Sequence, residues 1–335
     1  MKRLAMACAL AAAMLAAAVG PARADCKLQA LAVIPITFVN DSPMVEVSLN
    51  GKPALMRFSW AYVPQLWNTS VAKYGLDALR STDTVGYGMG GSSHIGRARV
   101  AEFEIGGVKA KDIDFQLVED DENVQEAGSF GLALAGFANL SYDIEFDFPH
   151  STVRVFDPQG CKGSEVVYWG GEYATLNAAP NGWFDIRLGD KMVSGALVPG
   201  NEVTFLTAPG ASRVGIPLQA AGPLPMGMIA GGVVKPIEVS IAALPDVKIG
   251  DETIKRAALA VGDIYVGDHM SGGIDRPELV LGSDFARSHR IYLAVSQRKM
   301  YFSYQGGPVF TNIYKRLGAD PPPPVPDAPA APPKP

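Results

Sequence analysis

The chain has 335 residues, with 29 Lys and Arg against 34 Asp and Glu, a formal net charge of −5 and 48% hydrophobic residues. The charge is mildly acidic and unclustered, and the absence of a basic stripe excludes a nucleic-acid partner. The length allows one large or two modest domains with a substantial core.

Residues 1–24 read as a signal peptide. A short basic start, "MKR", precedes the apolar run "LAMACALAAAMLAAAVG", and "ARA" ends at Ala24 with small residues flanking Arg23. The mature chain is therefore expected from Asp25, exported to a periplasm or beyond. No later stretch is long and apolar enough to span a bilayer. Cys8 leaves with the signal, so Cys26 and Cys161 remain, and an oxidising compartment favours a disulfide between them.

The elements that follow are short alternating runs separated by Gly, Pro, Asn and Asp. In chain order they are "MVEVSLNG", "ARVAEFEIGG", "IDFQLV", "YDIEFDFPHSTVRVF", "WFDIRLGD", "IEVSIAAL" and "IYLAVSQRKMYFSY". Period-two alternation with turn residues between runs predicts a mainly β protein. The fourth and last runs each look like two strands around a turn. "PPPPVPDAPAAPPKP" at the end is Pro-rich, carries no core and is expected to be extended and disordered, from about residue 319.

Self-comparison shows a repeat. Phe58 to Leu66 has the same spacing as Val198 to Leu206, and Phe58 to Gly75 the same as Val198 to Gly215. Each copy then reaches a Gly-rich stretch, "GYGMGGSSHIG" and "PMGMIAGG". Each next has a strand ending in Ile-Gly. Each closes on an apolar-apolar-Gly step, "LAG" at 134–136 and "VLG" at 280–282. Several such matches in one order predict a duplicated unit, residues 25–165 and 166–318. One chain then supplies both lobes, which fits a monomer.

With this plan, and with "LVLGSDFARSHRIYLAVSQRKMYFSYQGGPVF" and "YDIEFDFPHSTVRVFDPQGC" closing the two halves, the chain resembles bacterial exported proteins of the tandem retropepsin-like aspartyl protease family. The resemblance covers nearly all the mature chain. It implies an all-β fold of two retropepsin-like barrel lobes in a pepsin-like bilobal arrangement. It also implies a catalytic Asp-Thr-Gly turn after an inner strand of each lobe. Two such carboxylates share one proton because like charges that close cannot both ionise. One activates water and the other hydrogen-bonds the scissile carbonyl.

The family turn falls here on Phe58, Ser59, Trp60 and Ala61, and on Val198, Pro199, Gly200 and Asn201. Both acid positions are apolar. Between Asn50 and Leu76 there is no Asp or Glu, and between Lys191 and Ile216 the only acid is Glu202, beyond the turn. Catalytic residues are accordingly expected to be absent, and Phe58, Trp60 and Val198 to pack as an apolar plug. The resemblance makes Tyr87, Gly88, Met89, Gly90 and Met228 candidates for a flap and cleft lining. Gly86, Gly88 and Gly91 have dinucleotide-motif spacing, but strand-like "RARVAEFEI" follows where a phosphate loop needs a helix. No histidine has metal-ligand spacing with another, and neither a metal nor a cofactor is expected. Asp284, at the start of a short helix, reads as a cap.

Three functional readings follow. The chain is a non-catalytic pseudoprotease holding extended peptide, or another protein segment, between its lobes; or an active aspartic endopeptidase with acids elsewhere; or a structural protein with a filled cleft. An open or filled space beneath "GYGMGG" separates the first from the third.

Overall fold

The computed structural model describes residues 26–59, 64–88, 91–118, 126–131, 142–180, 182–224, 237–263, 277–310 and 312–318. The first half contains β1 (Lys27–Pro35), β2 (Thr37–Val39), β3 (Ser42–Leu49), β4 (Lys52–Ser59), β5 (Gln65–Trp67), α1 (Asn68–Tyr74) and β6 (Asp77–Gly88). It continues through β7 (Gly91–Ile105), β8 (Val108–Val118), β9 (Gly128–Gly131), β10 (Asp143–Asp147) and β11 (Thr152–Gln159). The second half contains β12 (Ala174–Asn177), β13 (Phe184–Leu188), β14 (Lys191–Leu197), β15 (Phe205–Thr207), α2 (Ala208–Val214) and β16 (Leu218–Leu224). After it come β17 (Ile237–Ile249), β18 (Glu252–Gly262), β19 (Leu279–Leu281), α3 (Ser283–Ala286), β20 (His289–Ala294), β21 (Lys299–Tyr304) and α4 (Asn312–Leu317). The fold is all-β in the main, as the alternation predicts.

The strand orders make the duplication explicit. One sheet runs β2-β3-β4-β9-β5-β8-β7-β6 with β3 closing on β7, and another runs β13-β14-β19-β15-β18-β17-β16 with β13 closing on β17. Apart from the extra edge strand β2, the two are the same path. Closing the sheet on itself leaves few unpaired edges. α1 and α2 occupy matching places and both end on a left-handed glycine, Gly75 (φ 64°) and Gly215 (φ 76°). A non-glycine residue is disfavoured there by its Cβ.

A third sheet, β1-β11-β10-β20-β21-β12, takes three strands from each half. Its two central strands join the halves, with Ile144 opposite Leu293 and Asp147 opposite Arg290. The pairs β10–β11 and β20–β21 are the two-strand turns expected from sequence. Its outer strands are each met by a hairpin glycine. A Cβ at Gly106 would lie 2.8 Å from Ile34, and one at Gly250 would lie 2.7 Å from the Thr175 carbonyl oxygen. The largest apolar cluster lies between this sheet and the two lobe sheets, and includes Phe58, Leu66, Phe146, Leu197, Leu206, Leu281 and Phe302. Cys26 and Cys161 form the expected disulfide, with Cα atoms 4.2 Å apart at the end of the β1–β11 ladder.

Buried carboxylates also bridge the halves. Glu145 of β10 accepts from Arg154, Arg290 and Tyr168, each at 2.7 Å. The Arg290 guanidinium also stacks over Trp169, 4.8 Å from the ring centre. These donors compensate the loss of water around a carboxylate with no exposed surface.

Candidate functional site

In each lobe a strand runs into the turn of interest beside a short central strand. Met56, Arg57, Phe58 and Ser59 of β4 lie parallel to Gly128, Ser129, Phe130 and Gly131 of β9. In the second lobe Gly195, Ala196 and Leu197 lie parallel to Leu279, Val280 and Leu281. β9 and β19 then pair antiparallel with β5 and β15, Gln65 opposite Ser129 and Phe205 opposite Val280. The step equivalent to "VLG" at 280–282 is therefore "SFG" at 129–131; "LAG" at 134–136 lies outside the described residues. Gly282 has no room for a side chain, because a Cβ would sit 2.7 Å from the Val203 carbonyl carbon.

This register corrects the alignment by spacing. Leu66 and Leu206 match, as expected, but Phe58 matches Leu197, and Val198 matches Ser59. The second turn is one residue longer than the first. In either alignment no carboxylate stands at the end of β4 or β14.

Phe58 is completely buried, its ring 6.4 Å from that of Phe146 in the six-stranded sheet. Val198 is half-buried and packs on a different cluster, one confined to the second half. Its N–H donates to the Leu281 carbonyl at 2.8 Å, and its carbonyl accepts from Asn201 N–H at 2.9 Å, which closes the turn over Pro199 and Gly200. The expected plug is thus not assembled from these two residues, because alternation turns Phe58 down into the main core. Trp60 and Ala61 lie outside the described residues, as do Met89, Gly90 and Met228. Tyr87 and Gly88 end β6 opposite Ser92 and Gly91 of β7, so the Gly-rich stretch is a hairpin followed by a strand.

The opposite face of the same strands carries the chemistry that sequence reading missed. Alternation places Arg57 on the reverse side from Phe58. In register with it run Ser129, Gln65 and Gln116. Gln65 donates to Gln116 at 3.3 Å and accepts from Ser129 at 3.5 Å. The matching positions of the second lobe are Ala196, Val280, Phe205 and Ala260. One row is polar and the other apolar, on otherwise equivalent surfaces.

Glu202, just after the second turn, meets this polar row. It accepts from the Ser42 hydroxyl at 2.5 Å and from Arg57 at 3.4 Å, and it is ion-paired with Arg316 of α4. Arg57 also reaches Glu126 at 3.3 Å. Beside it, Asp41 pairs with Arg287 and, at 2.5 Å, with Lys315 of α4. Burial works to raise the Asp41 pKa, but the two cations outweigh it and hold the carboxyl below its ordinary range. Burial lowers the Arg316 pKa; the charge of Asp41 opposes this, and the smaller effect of Arg57 adds to it. Glu202 is thus held by groups from the first half and from α4.

Asp284 does not cap a helix. It sits inside α3 and accepts from the Thr204 N–H at 3.1 Å and the Thr204 hydroxyl at 2.6 Å, so it holds the chain beyond the second turn. Burial pushes its pKa up to about 6. His289 is fully buried, stacked on Phe285 and bonded to the Phe285 carbonyl (2.7 Å) and to Glu252 (3.0 Å), which is a satisfied core histidine. Among the described residues no group of three or more His, Cys, Asp or Glu is placed to hold a metal ion, and no helix is long and apolar enough to cross a membrane.

No family model matches the sequence, and no curated protein does. Among solved structures the chain is similar to the aspartic proteinase from Irpex lacteus, with 10% identity, 85% of this chain and 98% of that chain covered, and a TM-score of 0.48. A likeness of that size carries no argument about residues or chemistry.

Proposed function

We propose that this chain is an exported, two-lobed, aspartic-protease-like protein that does not hydrolyse peptides and instead holds an extended peptide between its halves. One observation carries the reading: neither turn contains an Asp or Glu, and Glu202, just beyond the second turn, is tied up by Ser42, Arg57 and Arg316. Acid–base hydrolysis of an amide by this kind of device needs two facing carboxyls that share a proton. Removing one member of such a unit costs about as much as removing all of it. Main-chain hydrogen bonds from the β6–β7 hairpin would grip peptide by strand addition. Export rests on residues 1–24 and is supported by the Cys26–Cys161 bond.

A second reading, a scaffold whose cleft takes no external ligand, draws on the position of α4 over the second lobe beside Glu202. Incubating the mature protein with a mixed peptide library from acid to neutral pH separates these readings. The expected result is no cleavage, with a subset of peptides retained. Cleavage blocked by a transition-state mimic of aspartic peptidases would overturn the proposal, and retention of nothing would favour the scaffold.

A further inference from the structure

α4 closes the second half, yet it touches both halves. Ile313 and Tyr314 are buried in a cluster with Phe205, Leu224, Val239 and Val280, so they cover the apolar row of the second lobe. The next two residues turn to the other lobe. Lys315 pairs with Asp41, and Arg316 pairs with Glu202 and donates to the Asn40 carbonyl at 3.2 Å. Glu202 follows the second turn directly, and its other cation, Arg57, immediately precedes Phe58. A cation from the C-terminal helix and one from the end of β4 therefore meet on the carboxylate that follows the second turn.

From this arrangement we propose that α4 is a resident occupant of the inter-lobe site, and that the site's external ligand is a peptide of the same chemistry: two adjacent apolar or aromatic residues followed by two basic ones. The apolar pair has a pocket in the second lobe and the basic pair has two carboxylates, one from each half. An apolar pair alone would be satisfied by the second lobe; a basic pair alone would be held only by partly exposed ion pairs. The combination spans the lobes and specifies direction, because the cations must follow the apolar pair toward Asp41. The first lobe's row is polar and offers no matching apolar pocket, which leaves one register for the ligand.

Two features make α4 displaceable. It is a helix of six residues, too short to be stable without its packing. Its Tyr314 hydroxyl is buried with no hydrogen-bond partner among the described residues. Such a group opposes docking, so Tyr314→Phe is expected to seat α4 more firmly. The chain is anchored just before α4 by Phe310, buried against Phe285 with ring centres 6.1 Å apart, so α4 can leave while the core stays closed.

The inference rests on the peptide-binding part of the proposed function, with the ligand taken as a helical turn on the second lobe in place of a strand added to the β6–β7 hairpin. The test uses a fluorescent peptide with the chain's own residues 311–318, TNIYKRLG, and its charge-reversed control, TNIYEELG. Three proteins are compared by anisotropy: the mature chain, the chain ended after Phe310, and the mature chain carrying Lys315→Glu and Arg316→Glu. The expected result is at least tenfold tighter binding of TNIYKRLG by both altered forms than by the unaltered chain, with little binding of the control. Circular dichroism checks the fold of each form, and the charge-reversed chain covers the case in which the shortened one fails to fold. Equal affinity in all folded forms, or no binding by the folded altered forms, would overturn the proposal. If the altered forms retain other library peptides but not TNIYKRLG, the ligand assignment fails while the peptide-binding reading stands; cleavage of any peptide sinks that reading itself.

Discussion

Counting residues puts Phe58 and Val198 at the two acid positions of the family turn, whereas sheet register pairs Phe58 with Leu197 and Val198 with Ser59; the surroundings of Phe58 and Val198 differ accordingly. Phe58 has no exposed surface and packs on Phe146, whereas Val198 is half-buried on a smaller cluster. Placing an acid at each position should therefore have unequal costs. Phe58→Asp removes a core ring and buries a lone carboxyl, and is expected to cost about 4 kcal/mol or more. Val198→Asp keeps partial access to water and is expected to cost about 1 kcal/mol. Urea unfolding of the two variants measures both; equal losses would contradict the burial argument. Asp284 gives a pH signature. Its pKa is raised to about 6 by burial, so the folded chain binds that proton more tightly than the unfolded one. Its contribution is full below the unfolded value near 4 and is lost as pH rises through about 6. A gap of about two pH units at about 1.4 kcal/mol each predicts a fall of about 3 kcal/mol between pH 4 and pH 7, absent in Asp284→Asn. Asp41 runs the other way: its lowered pKa adds stability that is lost as pH falls through the folded value.

Most elements were legible in the sequence. Alternation marked the strands because half-buried strands alternate by geometry, and "YDIEFDFPHSTVRVF" resolved into β10 and β11 around Phe148–His150. Equal spacing found β5 with β15 and α1 with α2. It failed on β4 with β14, because counting residues through a turn assumes turns of one length, and strand register is fixed by partners far along the chain. "SFG" escaped as a repeat of "VLG" for a related reason: Ser129 lies in the polar row, so the apolar-apolar signature is absent. That row, Arg57, Gln65, Gln116 and Ser129, is assembled only by sheet register and leaves no local trace. α4 is too short for periodicity to show, and its role lies in contacts with Asp41 and Glu202, both distant in sequence. The tether at β1 was legible from two cysteines alone. β1 is an edge strand paired only with β11, and the disulfide fixes one end of that ladder. Cys161→Ser is expected to cost about 2–5 kcal/mol in thermal or urea unfolding; a variant as stable as the parent would mean that the ladder holds itself.

At the scale of the molecule, duplication built two similar barrels and a shared sheet, and the halves then diverged on one face. The shared sheet ties them into one unit through β10 and β20, with Glu145 holding Arg154 of its own half and Arg290 of the other. Glu145→Ala leaves both guanidiniums with Asp147 as carboxylate partner and should cost about 2–3 kcal/mol, the worth of charged hydrogen bonds. The loss should appear in a single calorimetric transition, since neither half completes that sheet alone; two separate transitions would show that the halves fold independently. The opposite face is polar in one lobe and apolar under α4 in the other, and the proposed peptide holding depends on that divergence. The most direct test is the library cleavage assay run on the chain ended after Phe310, which lacks α4, across acid to neutral pH. The account predicts no hydrolysis at any pH while peptides bearing an apolar pair and a basic pair are retained. Inhibitor-sensitive hydrolysis would show that working acids exist in this chain and would contradict it.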